Sequence, residues 1–433
     1  MDPVQIAVLA IFVMLALIVL QVPIGIAMIL IGVAGFGIVS GFAPAVTILA
    51  NEGANTISNP DLAVIPLFLL MGNFATAARL SEDIYNLAYA FLGHFRGGLA
   101  LSTIGGCGFF GSVCGSSPAT AATFGKVALP EMTKRNYSPS FATGTIAAGG
   151  TLGSLVPPSV IMIIYAVQAE EFILLLFVAA VIPAAIEIAL YMITILVYVR
   201  LKPDAGPAGP RMSWPDRLRV VIRSWGGVLV GVVVIGGIYG GVFTVTEAAS
   251  FGAVLAFFFA LGRRKLTRKI FWDSLVGTAT STAMIYFIII GANVLIYFFG
   301  LSRLADYVVT GIFNLNVPHL ITMILLIIIY LILGSIFDTV AAMVITLPFV
   351  LPIITSMGYH PLWWGIVNVV VIETGMISPP IGLNVFVLQG ITKVPLQVIY
   401  KGTLPFVLAD VTRIALLVLF PPIVLWLPSL VKL

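Results

Sequence analysis

The sequence of 433 residues has very little charge and almost no cysteine or histidine. Only 9% of its residues are Asp, Glu, Lys or Arg, and it contains two cysteines and three histidines. A soluble domain has roughly 25% charged residues, so the composition excludes a water-facing globule of this size. Cys107 and Cys114 lie in an apolar stretch, and we interpret them as small buried residues rather than a disulfide framework.

Apolar sequence is what the chain has in excess. Its hydrophobic fraction is 60% and its mean hydropathy is +1.15. Continuous, non-alternating runs of about 18 or more apolar residues recur from end to end, which predicts an all-α polytopic membrane protein rather than a barrel. The first run follows an acidic residue and lacks a cleavage site, so we expect a retained helix, not a signal peptide.

Ten apolar segments have the length that a membrane-spanning helix requires. Two further stretches, 99–129 and 320–351, exceed one crossing of roughly 20 residues, and each contains a small polar patch. These stretches predict re-entrant helical hairpins, whose turns must be shielded from lipid by protein or water. The predicted spans are residues 4–21, 23–40, 62–78, 141–168, 172–200, 224–243, 246–261, 277–300, 362–389 and 403–427.

An internal repeat relates the two hairpin stretches and the segments that follow them. A constant offset of 222 residues joins matching positions without a gap, from the hairpin patches to two Pro-Pro pairs, and such a collinear set is not expected by chance. The chain therefore contains two copies of one structural unit. The matching pairs include Pro130 and Pro352, Tyr137 and Tyr359, Pro139 and Pro361, Gly153 and Gly375, Pro157 and Pro379, and Pro158 and Pro380.

Two basic loops orient the chain in the membrane. Lys and Arg cluster within residues 200–223 and again within 263–269, and the positive-inside rule places both loops in the cytoplasm. Counting crossings from these loops predicts a periplasmic N-terminus, a first hairpin that opens to the cytoplasm and a second that opens to the opposite side. The halves are then inverted repeats, as in secondary transporters with a site near the midplane.

The sequence carries none of the common catalytic motifs. It contains no His-Glu-x-x-His, no Gly-x-Ser-x-Gly and no P-loop. Residues 106–111 fit the pattern Gly-x-Gly-x-x-Gly, but no strand precedes this apolar segment, so close helix packing is the better interpretation. We therefore expect a transport protein, without an organic cofactor or a nucleic-acid partner, rather than an enzyme.

The strongest functional signal is a broken helix in each repeat, at residues 153–158 and 375–380. Two consecutive prolines remove two N–H donors and push the residues before them out of the helical conformation. The carbonyls that lose their partners, with Ser and Thr hydroxyls, suit a sodium ion, and the following half-helix offers its positive end to a carboxylate. A simple kink is the alternative, which two copies at equal spacing disfavour.

Several acidic residues lie at membrane depth, where a carboxylate suggests a function. Asp338, at the second hairpin tip, could bind sodium, orient other ligands or cap a helix, and the sequence leaves these roles open. We favour a structural hydrogen bond for Glu373 and a capping box for Glu247. Glu187 and Asp410 could each meet a partner subunit, a buried cation or a ligand.

The hairpin and break motifs resemble those of a known family. The chain resembles the DctM-like large membrane subunit (M subunit) of tripartite ATP-independent periplasmic (TRAP) transporters over essentially its whole length. Two departures are Cys114, where the family usually has serine, and Val245, where it usually has proline. The resemblance lies in residues 66–72, 114–122, 240–249, 338–342 and 379–384.

Such a resemblance implies sodium-driven import of an organic acid, such as sialic acid or a C4-dicarboxylate, across the bacterial inner membrane. It also implies an elevator-type fold similar to the ion transporter superfamily, a small four-helix membrane subunit (Q-type) and a periplasmic substrate-binding protein (P-type). We expect both partners to be separate polypeptides. The alternative is a stand-alone divalent-anion carrier with the same hairpin topology, driven by sodium or protons.

The resemblance further implies how the chain divides and where its ligands lie. Scaffold helices are expected in 1–95, 171–315 and 393–433, and transport-domain repeats in 96–170 and 316–392. At least two sodium sites are expected, with the substrate carboxylate between the tips. The first sodium site is expected at Ser112, Ser116, Ser117, Gly153, Val156 and Pro157; the second at Gly334, Asp338, Thr339, Gly375, Ser378 and Pro379; and the substrate at Ser116, Ser117, Pro158, Ser159, Asp338, Thr339, Pro380 and Asn384.

Overall fold

The computed structural model describes residues 2–314 and 317–431, and every regular element in these ranges is a helix. The predicted all-α fold class is confirmed, while the expected domain boundary between 315 and 316 lies outside the described residues. The helices are α1 (Pro3–Val19), α2 (Ile24–Ser40), α3 (Phe42–Ser58), α4 (Val64–Ala77), α5 (Leu80–Leu92), α6 (Gly98–Cys114), α7 (Ser117–Lys134), α8 (Pro139–Leu155), α9 (Val160–Gln168), α10 (Ile173–Leu201), α11 (Trp214–Arg223), α12 (Trp225–Tyr239), α13 (Val245–Gly262), α14 (Arg268–Ser302), α15 (Leu304–Asn314), α16 (His319–Ile336), α17 (Thr339–Ser356), α18 (Pro361–Gly375), α19 (Leu383–Thr392), α20 (Leu396–Leu419) and α21 (Pro422–Leu425).

Many of these helices suit a bilayer. Within the described ranges, six helices are long and apolar enough to cross a membrane, and nine spans result if each sharply bent helix pair counts as one. Helices α8 and α9 form one such pair, with a bend of 42° at the first Pro-Pro break. The chain is therefore a multi-pass membrane protein. Its six long spans are α10, α13, α14, α16, α17 and α20.

The repeat extends well beyond the region in which the sequence reveals it. The offset of 222 residues also relates α1 to α12, α2 to α13, α5 to α15 and α10 to α20, and it relates Pro183 to Pro405 within the last pair. Helices α3 and α4 together correspond to the single helix α14. Pro60 interrupts the first copy, because a proline disfavours helical geometry in the residue before it.

The two repeats exchange contacts rather than lying side by side. Helix α2 packs against α14, and its counterpart α13 packs against α4. Gly25 permits the first contact, since a Cβ atom there would lie 2.6 Å from the carbonyl carbon of Phe287. Gly252 permits the second by leaving room for the side chain of Met71. This reciprocal packing joins both halves around a common centre.

Each hairpin stretch is a pair of helices joined by a short turn. Helices α6 and α7 pack on α8, and α16 and α17 pack on α18. Gly111 lets α6 approach closely, since a Cβ atom there would lie 2.9 Å from the Cα of Gly153. Gly334 plays the same part in α16, where a Cβ would lie 2.5 Å from the carbonyl oxygen of Ile372. The predicted role of glycine in close packing is thereby confirmed.

Some predicted boundaries are wrong, mostly where helices are amphipathic. The sequence analysis did not predict α3, α5, α11 and α15, because polar residues interrupt the apolar runs on which the predicted spans are based. The predicted span 277–300 belongs to α14, which begins nine residues earlier, after the side chain of Thr267 caps Ile270. The predicted span 403–427 is α20, which runs from Leu396 to Leu419 and stops just before Pro421.

Candidate functional site

The first hairpin tip is bonded directly to the first broken helix. Gly115 has a φ of +64°, which lets the chain reverse between α6 and α7. The N–H of Ser117 donates to Oγ of Ser154 over 3.1 Å, and the N–H of Val160 donates to the carbonyl of Gly115 over 3.4 Å. The tip and the residues on both sides of the Pro-Pro break therefore form one unit.

Gly153 packs closely against oxygen atoms of the first hairpin tip. A Cβ atom at Gly153 would lie 2.5 Å from Oγ1 of Thr120 and 2.6 Å from the carbonyl oxygen of Ser116. The hydroxyls of Thr120 and Ser159 are buried and have no hydrogen-bond partner within residues 2–314 and 317–431. Such oxygens fit a small hard cation. The sequence reading did not select Thr120, although it lies in one of the family-like stretches.

At the second hairpin tip, the side chain of Asp338 caps the N-terminus of α17. Oδ1 of Asp338 accepts from the N–H groups of Val340, over 2.8 Å, and Ala341, over 3.3 Å. Of the three roles left open for Asp338, the structure therefore shows the helix cap. The N–H of Gly382 donates to the carbonyl of Ser335 over 2.8 Å, so this tip is also bonded to its broken helix.

Glu373 lies at the centre of the site, where both halves meet. The hydroxyl of Thr339 donates to its Oε1 over 3.0 Å, in agreement with the predicted structural hydrogen bond. The carboxyl also lies close to the hydroxyls of Ser117 and Ser154 in the first half, and its Oε2 is buried without a hydrogen-bond partner. One acidic side chain thus touches both tips.

Asn384 makes the most distant connection in sequence. Its Nδ2 donates to Oγ of Ser117 over 2.8 Å and lies 3.4 Å from the carbonyl oxygen of Ala147, although it follows the second break. Its Oδ1 is buried and unpartnered. Asn384 therefore lies between the tips, where the resemblance placed it, and its proposed contact with substrate stays a prediction.

The remaining predicted ligands are not equivalent in the two halves. Ser112 donates to the carbonyl of Phe109 within α6, and Ser378, which follows the end of α18, donates to the carbonyl of Thr374. Gly375 packs closely on α16, since a Cβ atom added there would lie 2.7 Å from the carbonyl oxygen of Leu331. The two breaks differ most in exposure. In the first, Val156 is half-buried and Pro157, Pro158 and Ser159 are buried, whereas Pro379 and Pro380 in the second are exposed. Both Pro-Pro peptide bonds are cis.

A buried ion network lies behind the broken helices. Arg413 pairs with Glu187 and, over 2.9 Å, with Asp410, and all three side chains are 1% exposed. The hydroxyl of Tyr191 donates to Asp410 over 2.8 Å, and that of Thr151 donates to Glu187 over 2.8 Å. Glu187 and Asp410 therefore meet a buried cation, which was one of the roles left open for them.

A polar cavity of about 340 Å³ lies outside the tips, between α3, α14 and the end of α9. Glu52 in its wall accepts from Nδ2 of Asn293 over 2.9 Å. Nearby, Glu171 lies in the loop before α10, where burial raises the pKa of its carboxyl and His360, 3.9 Å away, acts to lower it. Asn293 thus belongs to this cavity and not to the tips.

The described residues contain no group of three or more His, Cys, Asp or Glu side chains arranged to hold a metal ion. A cation at the tips would therefore depend on carbonyl and hydroxyl oxygens with at most single carboxylates. This donor set matches the low charge expected of a sodium site and differs from the ligand shells of structural zinc.

Comparison with known families gives a match over nearly the whole chain. Residues 11–423 match the family described as "Tripartite ATP-independent periplasmic transporter, DctM component".

Three relatives show how the match extends to individual proteins. The C4-dicarboxylate TRAP transporter large permease protein DctM of Pseudomonas aeruginosa is 32% identical, with 92% of this chain and 93% of that protein covered. The sialic acid large permease protein SiaM of Vibrio cholerae is 28% identical, with 97% and 98% covered. The isethionate permease protein DctMQ of Oleidesulfovibrio alaskensis is 31% identical, with 83% and 56% covered.

Solved structures support the fold alone. The YdaH transporter of Alcanivorax borkumensis superposes with a TM-score of 0.58 at 12% identity, covering 90% of this chain and 89% of that one. MtrF of Neisseria gonorrhoeae gives a TM-score of 0.56 at 13% identity, with 89% and 85% covered. The overall helix arrangement is therefore similar to that of these two proteins, despite low sequence identity.

Proposed function

The chain belongs to the DctM family of tripartite ATP-independent periplasmic transporters, and on this premise we propose that it is the large permease of a sodium-coupled uptake system for an organic acid. Its relatives are named as permease proteins, which confirms the prediction of a transport protein rather than an enzyme. The observation that carries the proposal is the hydrogen bond from Asn384 to Ser117, which brings both tips and both breaks to one buried polar centre.

Sodium coupling is supported by the oxygens around Gly153. Oγ1 of Thr120 and the carbonyl of Ser116 lie against Gly153, and among the described residues the hydroxyls of Thr120 and Ser159 have no hydrogen-bond partner. A buried polar atom without a partner costs free energy, which a bound cation would offset. We place the second ion at the other tip, near Asp338 and the carbonyls before Pro379.

The substrate carboxylate is proposed to lie between the two tips. Helices α7 and α17 both begin there, at Ser117 and Thr339, and the positive end of a helix favours an anion. Asn384 adds an amide at the same place. The relatives named for C4-dicarboxylate and sialic acid transport favour a carboxylate substrate for this chain as well.

An elevator motion would require the broken helices to move as one body. Arg413 joins α20 to Glu187 of α10 by a buried ion pair. Thr151 of α8 donates to Glu187, and Gly144 of α8 packs directly on the backbone of Gly402 in α20. Sliding α8 past α10 and α20 would break this buried hydrogen bond and the close backbone contact in each cycle, which would be costly. We therefore propose that α10 and α20 move with the hairpins, although the resemblance placed them in the scaffold segments 171–315 and 393–433.

Two separate partners complete the proposed system: a small Q-type membrane subunit and a P-type periplasmic binding protein. The relative named DctMQ extends well beyond the length that this chain matches, which supports a further membrane component. We place the complex in the bacterial inner membrane, with the N-terminus in the periplasm because the basic loops are expected in the cytoplasm.

The proposal is tested by uptake of C4-dicarboxylates and sialic acid into proteoliposomes that contain the chain and its small subunit. We expect uptake only with an inward sodium gradient and the purified binding protein. Ser116→Ala and Asp338→Ala should each reduce it about tenfold or more, since groups that bind an ion contribute roughly 1.5–3 kcal/mol. Glu131→Gln, which removes only an exposed pair with Lys134, is the matched control.

Three outcomes would contradict the proposal. Normal uptake by both variants would remove the tips from the site. Uptake without a sodium gradient would exclude sodium coupling. Uptake that needs no binding protein would favour the stand-alone carrier, which shares the hairpin topology.

The sodium site has its own, sharper test in Gly153→Ala. The added methyl group would lie 2.5 Å from Oγ1 of Thr120 and 2.6 Å from the carbonyl oxygen of Ser116 and would displace both oxygens, so we expect the sodium concentration for half-maximal uptake to rise about tenfold or more. Gly390→Ala is the control, because no atom lies within 4 Å of an added Cβ there. An unchanged sodium dependence in Gly153→Ala would exclude these two oxygens as sodium ligands.

A further inference from the structure

Helix α11 (Trp214–Arg223) belongs to neither the tips nor the broken helices. It lies in the first basic loop, directly before α12, and it is bent from α12 by 59°. The side chain of Ser213 accepts from the N–H of Asp216 and caps its first turn. A helix at this angle to a membrane span runs along the bilayer surface more than through it.

One side of α11 is apolar and exposed. Trp214, Leu218 and Ile222 recur every four residues, so they lie on one face, with exposed fractions of 73%, 61% and 62%. Val221 and Trp225 extend the same stripe and are also exposed. A stripe of this kind in water would be unfavourable, whereas the boundary between lipid headgroups and acyl chains accommodates it, tryptophan in particular.

The opposite side of α11 is polar. Asp216, Arg219 and Arg223 are exposed there, and Arg219 pairs with Asp216 over 3.0 Å. The third side faces the protein, where the hydroxyl of Ser224 donates to the carbonyl of Asp83 over 2.9 Å. The helix thus presents separate surfaces to protein, to water and to an apolar medium.

Arg217 lies on the protein side, and no acidic side chain among the described residues pairs with it. Its guanidinium Cζ is 5.1 Å from the ring centroid of Trp214 and 5.6 Å from that of Phe91, and the residue is only 7% exposed. Nε and Nη2 are buried and have no hydrogen-bond partner. A buried charge without hydrogen bonds is costly, and the planar guanidinium matches the oxygens of a phosphate group.

We propose that α11 is an interfacial helix that binds anionic phospholipid, with the apolar stripe at the acyl boundary and Arg217 on the lipid phosphate. Free phosphate shares the headgroup chemistry but offers nothing to cover the stripe. The positive charge of Arg217 attracts an anionic leaflet, which favours anionic phospholipid over a neutral surface. This site is independent of the transport site between the tips.

The proposal is tested by native mass spectrometry of the full chain, titrated with phosphatidylglycerol or phosphatidylcholine. We expect phosphatidylglycerol to be retained preferentially, and Arg217→Gln to weaken its binding about tenfold, since a charge-assisted hydrogen bond is lost. Arg219→Gln is the matched control, because it removes the same charge from the opposite face. Its effect should be less than about twofold, as for other exposed charges.

Two further variants keep the test decisive if Arg217→Gln folds poorly. Arg217→Lys retains the charge but not the planar guanidinium and should weaken binding to an intermediate degree. Leu218→Ser replaces an apolar side chain of the stripe by a polar one. It should weaken phosphatidylglycerol binding without changing how strongly inorganic phosphate competes with the lipid.

Four results would overturn the proposal. Equal losses in Arg217→Gln and Arg219→Gln would indicate unspecific attraction. Equal retention of the two lipids would exclude an anionic site, and complete competition by inorganic phosphate would identify a free-anion site. A photoreactive residue at position 218 that crosslinks to the small subunit instead of lipid would identify a protein interface.

Discussion

The two tip-and-break units have the same design, yet one is sealed and the other is open. In the first unit, Pro157 and Pro158 are buried beside a tip that bonds to Ser154; in the second, the matching Pro379 and Pro380 are exposed. The two units match residue by residue at the offset of 222, so the Pro-Pro motif alone does not determine how exposed each break is. The exposure of each break depends on the helices that surround it.

The helix that packs behind each unit also differs between the two. Gly144 of α8 packs directly on the backbone of Gly402 in α20. The corresponding positions in α18 and α10 are Ile366 and Ala180, whose side chains keep those two helices further apart. Asn384 adds to the asymmetry, because it reaches from the second break to cover the first tip.

Arg413→Ala should have the largest effect, because the ion network supports both units. Removal of the cation leaves the carboxylates of Glu187 and Asp410 buried without this positive charge, which costs about 3–5 kcal/mol. We expect a lower melting temperature of the purified protein. Arg219→Ala is the control, since its exposed pair should contribute only about 0–1 kcal/mol. Equal stability of the two variants would exclude the network as a common support.

Gly402→Ala should have the next largest effect and should act on the first unit. An added Cβ would collide with the carbonyl oxygen of Ser140 and with Gly144, so overpacking should cost about 1–3 kcal/mol. Thermal unfolding measures this loss, with Gly262→Ala as a control in open space. Wild-type stability would mean that the α8–α20 contact does not distinguish the two units.

Asp338 allows the cap of the second tip to be separated from any role in ion binding. Asp338→Ala should lose the cap and about 0.5–2 kcal/mol of stability, whereas Asp338→Asn should retain most of it. Sodium-dependent uptake is then compared for the two variants. If Asp338→Asn restores both stability and uptake, the charge is not needed. If it restores stability alone, the carboxylate also serves the ion or the substrate.

Cysteine labelling tests the difference in exposure between the two breaks directly and should perturb the protein least. Ser159 and Ile381 occupy matching positions after the two breaks, but they are 0% and 37% exposed. A water-soluble maleimide should label Ile381→Cys much faster than Ser159→Cys, while Cys107 and Cys114 are buried and give little background. Equal labelling rates would contradict a sealed first unit and an open second unit.

Part of the site could be predicted from single residues and their spacing. The capping box of Glu247, the buried cysteines and the glycine-mediated packing of 106–111 all follow from local rules, and the structure confirms them. The sequence missed Thr120 and Ser154, since a hydroxyl in an apolar helix has no signal of its own. Their importance depends on which backbone atoms lie opposite.

The sequence by itself determined the membrane-spanning class, the helix breaks and the offset of 222 residues between the repeats. These depend on run length, on proline and on recurrence along the chain, which need no knowledge of distant neighbours. Only the tertiary structure decided that Arg413 joins Glu187 across 226 residues, that Asn384 reaches Ser117 across 267, and that one break is buried and the other exposed. Those outcomes depend on which helices pack together, and hydropathy carries no information about that choice.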